Sequence, residues 1–171
     1  MKMTSAYANK LLKRLNEDKN YWLSIEQERR VYVAAADEEA VVPDYDYPAV
    51  TAELAAIDAK VVAIKHAINL ANVTHEIEVG DERLTIDAVL VRMAQLNCRK
   101  ASLDWMRKQQ PKSRVGSDGY FRTRPATPEY HYINYDPEQV KEDYAKVDLA
   151  ITQMQIALDR FNQTVEFDVP V

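Results

Sequence analysis

Cysteine and glycine are both scarce in this chain: there is one cysteine, Cys98, and three glycines, Gly80, Gly116 and Gly119, in 171 residues. A lone thiol cannot close an internal disulfide, and it supplies neither a zinc quartet nor a Cys-x-x-Cys redox pair. With so few glycines, tight-turn β architectures lack their usual turn residue, and helix is the better expectation. No apolar run approaches the roughly 18 residues of a membrane span. Residues 1–19 carry charges where a signal peptide needs a continuous apolar stretch, so the expected location is the cytoplasm. Several catalytic signatures are missing as well. There is no Glu-x-x-His pair of the kind that builds carboxylate-bridged di-iron sites, no Gly-rich phosphate loop and no Gly-x-Ser-x-Gly elbow. His75-Glu76 begins a zincin-like string, but Val79 stands where the second histidine would be needed. His66, His75 and His131 read as surface or satisfied interior residues, and Cys98 as a buried, inert thiol. No metal, cofactor or catalytic residue is expected, and a non-enzymatic role is favoured.

Apolar residues make up 47 % of the chain and charged residues 29 %, as in soluble globular proteins, and the net charge of −5 argues against a generally basic nucleic-acid binder. The length fits one domain, residues 1–171. Seven prolines punctuate the chain and leave the stretches 1–42, 49–79, 81–110 and 138–169 free of glycine and proline breakers, apart from the chain's few turns. Each stretch reads as a helix. In the second, Val50, Leu54, Ile57, Val61, Ile64, Ile68 and Ala71 alternate steps of four and three, the apolar seam of a helix packed lengthwise on others. In the fourth, the seam is Val140, Tyr144, Val147, Ile151, Met154, Leu158 and Phe161, with Asp136 as N-cap, Pro137 in the first turn and Gln139 completing a capping box. The first is amphipathic through Leu11, Leu12, Leu15, Trp22, Ile25 and Tyr32. The third is so through Ile86, Val89, Leu90, Met93, Leu96, Leu103 and Met106, with Thr85 as a cap.

Residues 45–79 laid on 135–169 without a gap match at ten of 35 positions. The matches leave the apolar seam and continue past the helix end, where Asn-x-Thr-x-Glu-x-x-Val recurs as Asn72 to Val79 and Asn162 to Val169. The reading is a duplicated helical hairpin, a pseudo-repeat of 1–79 and 81–169. Each copy ends in an alternating segment, 75–79 and 165–169, suited to a half-exposed strand. Those two segments could pair with each other, or Gly80-Asp81-Glu82 could close a small hairpin between 75–79 and 83–85; the pattern leaves both open. The expected fold is mainly α, a coiled-coil-like antiparallel four-helix bundle with a small β element at one end.

Two groups of residues are candidate sites. Asn72, Thr74, Asn162 and Thr164 suit helix C-termini, where asparagine tolerates the left-handed conformation; together with Arg92 they could form a polar pole for a small anion. Residues 107–124 hold Arg107, Lys108, Lys112, Arg114, Arg122 and Arg124 against Asp118 alone, flanked by Tyr120, Phe121, Tyr130, His131 and Tyr132. Cations interleaved with aromatics could hold phosphates and stack bases. Residues 36–47 instead carry Asp37, Glu38, Glu39, Asp44 and Asp46 with no cation, so the two loops could pair, within one chain or between copies.

Ile68-Asn69-Leu70-Ala71-Asn72 at a helix end, Leu84-Thr85-Ile86-Asp87-Ala88 and Arg92 opening the next, and Asn162-Gln163-Thr164 near the end of the sequence resemble the septicolysin-like family of small bacterial helical proteins. The resemblance implies a soluble helical bundle with no established enzyme activity, and no catalytic residue follows from it. The favoured function is a self-associating helical assembly or protein-interaction module, with Tyr7, Trp22, Trp105 and Tyr144 as surplus apolar surface. One alternative is an anion or nucleic-acid binder through the basic loop. The other is the lipid-active cytolysin that the family name suggests.

Overall fold

The computed structural model describes residues 1–37, 39–115 and 127–170. The described residues are mainly helical, with three small antiparallel strand pairs. In chain order they run β1 (Lys2–Thr4), α1 (Ser5–Arg29), α2 (Tyr47–Thr74), β2 (Glu76–Val79), β3 (Glu82–Thr85), α3 (Ile86–Arg107), β4 (Lys112–Arg114), β5 (Tyr130–Tyr132), α4 (Pro137–Thr164) and β6 (Glu166–Asp168). The four helices occupy the four stretches that the breakers leave open, with α2 and α4 each also taking in the proline just before its stretch. The first is shorter than its stretch, because α1 stops at Arg29. Tyr32, expected on its apolar face, lies beyond the helix and is exposed.

Helix starts follow side-chain chemistry. Thr4 caps α1 by accepting from the Tyr7 amide at 3.3 Å, and Asp46 caps α2 by accepting from the Ala49 amide at 3.1 Å. Asp136 accepts from the Glu138 amide at 2.9 Å at the start of α4. Gln139 departs from its expected part in a capping box, because its amide donates along the helix to Asp143 at 3.0 Å.

The chain forms two compact units. The first comprises Met1–Asp87 and Ala157–Val171, the second Ala88–Ile156. In the first unit, α1 and α2 pack through Ala8, Leu15, Ile57, Ile64, Ala67 and Ala71, with Met3, Phe167 and Val169 from the strands and Leu11, Leu12, Trp22, Val61 and Ile68 around them. The expected seam of α2 is thus the face that is buried or half-buried. Phe161 is buried in this unit too, its ring 5.5 Å from that of His75. Ser5 is the buried polar residue of this core, and its hydroxyl has no hydrogen-bond partner among the described residues.

Of the two pairings left open by the pattern, the local hairpin is the one formed. β2 and β3 pair as Glu76 with Thr85, Ile77 with Leu84, Glu78 with Arg83 and Val79 with Glu82, and Gly80 takes the left-handed conformation (φ 61°) that glycine adopts without a Cβ penalty. The second alternating segment finds a partner that sequence patterning misses. β6 pairs with β1, Glu166 with Thr4, Phe167 with Met3 and Asp168 with Lys2. In the second unit, β4 and β5 form a further hairpin, Lys112 with Tyr132, Ser113 with His131 and Arg114 with Tyr130.

Candidate functional site

The two hairpins repeat one set of local contacts. Lys19 of α1 reaches Asp58 of α2 at 2.6 Å, and Lys100 of α3 reaches Asp148 of α4 at 2.5 Å. The Thr74 hydroxyl donates to the Leu70 carbonyl, and the Thr164 hydroxyl to the Arg160 carbonyl, both at 2.7 Å. Tyr45 and Tyr135 each stand just before a capping aspartate, and each hydroxyl reaches back to the preceding helix, to Glu26 and to the Met106 carbonyl respectively. Partial burial, then the Glu26 carboxylate, pushes the Tyr45 hydroxyl above its ordinary pKa.

The residues of the expected polar pole make local contacts of their own. Thr74 and Thr164 use their hydroxyls on carbonyls of their own last turns. Asn72 and Asn162 are half-buried inside α2 and α4 rather than in a left-handed cap; no non-glycine residue among those described has positive φ. The α2 cap is His75, in extended conformation, with its ring nitrogen Nδ1 3.0 Å from the Ala71 carbonyl. Arg92 lies half-buried on α3 in the second unit, whereas the other four residues belong to the first.

The end of the α3–α4 hairpin gathers the chemistry of the expected basic site. Arg107, the last residue of α3, and Lys108 just after it both bind Asp104 one turn back, at 2.7 and 2.5 Å, so one carboxylate pairs with both cations. Hydrogen bonds from Lys108 and then Arg107 hold the Asp104 carboxyl below the usual carboxylate range, and Asp104 in turn raises the Arg107 guanidinium. The Arg107 guanidinium also lies 4.1 Å from the centre of the Tyr144 ring. Its bond to Asp148 raises the Lys100 ammonium in the same way. Beyond the helix, the Lys112 ammonium sits 4.1 Å from the Tyr130 ring centre and 5.4 Å from that of Tyr132, a cation–π arrangement across the strand pair. Arg114 is exposed on β4. Tyr120, Arg122 and Arg124, the remaining expected members of the basic site, lie outside the described residues.

Beside these cations is a groove of about 510 Å³ lined by Trp105, Gln109, Gln110, Ser113, His131, Tyr132, Ile133, Asn134 and Tyr135. Its wall is set by backbone bonds. Gln109 donates its amide to the Trp105 carbonyl at 3.2 Å, Tyr135 its hydroxyl to the Met106 carbonyl at 2.8 Å, and the Ile133 amide bonds the Pro111 carbonyl at 3.3 Å. Sequence reading names Trp105, His131 and Tyr132 singly but not the amides between them; the pairing of β4 with β5 brings them together. Cys98, expected to be buried, is exposed on α3. Among the described residues, no group of three or more His, Cys, Asp or Glu side chains could hold a metal ion, and no helix is long and apolar enough to cross a membrane.

No protein-family model matches the chain, and no curated protein matches it. Among solved structures, it resembles a conserved protein of unknown function from Corynebacterium diphtheriae, with a TM-score of 0.64 at 14 % identity over 98 % of this chain and 100 % of that one. The likeness is one of fold.

Proposed function

We propose that the protein is a non-enzymatic assembly module that self-associates through the outer face of α2. The carrying observation is that this helix is apolar on two opposite faces. One face is the buried seam of Val50, Ile57, Ile64 and Ala71; the other is Ala52, Ala55, Ala59, Val62, Leu70 and Val73, all exposed, with Val62 at 68 %. Contiguous exposed apolar surface on a helix whose other face is already buried commonly marks an interaction site. At 100° per residue these exposed positions fall within one stripe broken only by His66. The stripe carries no formal charge, so a second copy of it meets no like-charge repulsion. Alanine at three of its positions lets helix axes approach closely, and the same patch on two copies is self-complementary, as a two-fold dimer requires.

In this reading the two hairpins are copies of one unit arranged as an antiparallel four-helix bundle. The matching Lys–Asp pairs and threonine bonds support the duplication, and the resemblance to septicolysin-like proteins agrees with a helical, non-catalytic role. The test is the double variant Val62→Lys, Val73→Lys, which places charge in the stripe without touching the core. It is expected to sediment as a lighter species than the wild-type chain, with unchanged helical circular dichroism. Identical sedimentation of the two proteins would contradict the reading.

A further inference from the structure

The α2 stripe leaves the α3–α4 groove unused. We infer that this groove is a binding site for a neutral saccharide, an inference independent of the assembly reading because it uses other residues in the other compact unit. The nine described residues that line it include no Asp, Glu, Lys or Arg, although the surrounding sequence is rich in charge. Among the described cations of this hairpin end, Arg107 and Lys108 are held by Asp104 and Lys112 lies over the Tyr130 and Tyr132 rings, while Arg114 is exposed on β4. With Asp104, Glu129 and Asp136 on the same described segments as Arg107, Lys108, Lys112 and Arg114, the net charge there is only +1. Nucleic acid brings one phosphate per base and needs a surplus of available cations; a sugar ring brings none.

What the lining does offer suits a sugar. Trp105 and Tyr132 are 63 % and 65 % exposed, wide aromatic surfaces against which the C–H face of a pyranose can stack. Gln110, Asn134, Ser113 and His131 supply donors and acceptors of both kinds, as vicinal hydroxyls require. Gln109 and Tyr135, fixed on backbone carbonyls, hold the wall in place before any ligand arrives. The volume of about 510 Å³ lies within the range of small-molecule sites, with room for a mono- or disaccharide.

The experiment is a ¹H–¹⁵N NMR titration of the full chain with glucose, N-acetylglucosamine, maltose and cellobiose, at low and high salt, with oligo(dT) as the charged comparator. The expected result is a saturable shift of the Trp105 indole and of the Gln110 and Asn134 side-chain amides with at least one sugar, unchanged by salt. Trp105→Ala and Tyr132→Ala should each weaken that binding at least tenfold. Both residues are exposed, so unchanged melting of the variants shows that the fold is intact, and an unchanged mass in solution separates this result from the assembly reading. No saturable shift with any of the four sugars, binding that survives Trp105→Ala, or shifts produced only by oligo(dT) and abolished by salt would each overturn the proposal.

Discussion

The α1–α2 and α3–α4 hairpins share a ladder of contacts but are finished differently. Both carry a lysine on the first helix bonded to an aspartate on the second, at 2.6 and 2.5 Å. The first unit holds most of the buried apolar residues, whereas the second holds four of them, Val89, Leu103, Val140 and Met154. Each unit also has a surface groove. The one between α1 and α2 is lined by Leu11, Leu15 and Ile64 with Arg14, Asp18 and Lys60, while the one at the end of α3–α4 is lined by aromatic and amide side chains, with no Asp, Glu, Lys or Arg among its described residues. The two hairpins thus carry a matching Lys–Asp pair but differ in how much apolar surface they bury and in the residues that line the groove of each.

The largest expected effects come from breaking the core of the first unit. Phe161→Ala removes a buried ring packed on His75 and should cost about 3–5 kcal/mol, read by urea unfolding. Leu103→Ala, the corresponding truncation in the second unit, should cost about 2–5 kcal/mol. If both variants shift one shared transition, the units unfold together; if Leu103→Ala shifts only a separate transition, they do not.

A smaller effect tests the two strand pairs. Gly80→Ala forces a side chain into the left-handed conformation of the β2–β3 turn and should cost about 1–2 kcal/mol, whereas the β1–β6 pair, which has no connecting turn, is untouched. Loss of amide protection confined to residues 76–85 is the expected hydrogen-exchange result. Ser5→Ala removes a buried hydroxyl that has no described partner, and should leave the melting temperature unchanged or raise it.

The smallest effect is electrostatic. Asp104 has a lowered pKa, so its contribution is present above the ordinary carboxylate value of about 3.9 and is lost as pH falls through the lowered folded value. Asp104→Asn should therefore melt below wild type at pH 7, with the gap closing in strong acid. An equal gap at both pH values would show that Asp104 acts through packing rather than charge.

Much of the helical frame is legible in sequence because it is local. Proline spacing, the Asp136 cap and the four-three seam of α2 all act within a turn or two of helix. What escapes is non-local. β1 is three residues, Lys2–Thr4, whose partner lies at Glu166–Asp168, and no periodicity test registers so short a segment. A faint signal for it does exist: Leu15-Asn16-x-x-Lys19 and Leu96-Asn97-x-x-Lys100 match at an offset of 81, as do Thr4 and Thr85, so that the end of β1 matches the end of β3 in sequence. The offset of 90 that relates α2 to α4 does not contain these matches, because the connection following α3 is longer. The basic site was legible as composition only. Asp104 sits one turn before Arg107 and Lys108, and that helical spacing is what lets one carboxylate pair with two of its cations. The groove depends on the register of β4 on β5, which a run of cations and tyrosines does not reveal.

The account turns on whether the exposed face of α2 is covered by a second copy of the chain. Absolute mass by light scattering, measured at low and at high salt, tests this most directly. A multiple of 19.6 kDa that persists at both salt concentrations is the result predicted for an uncharged apolar interface. A mass of 19.6 kDa throughout would contradict it, and a multiple that dissociates in high salt would move the interface from α2 to the charged loops.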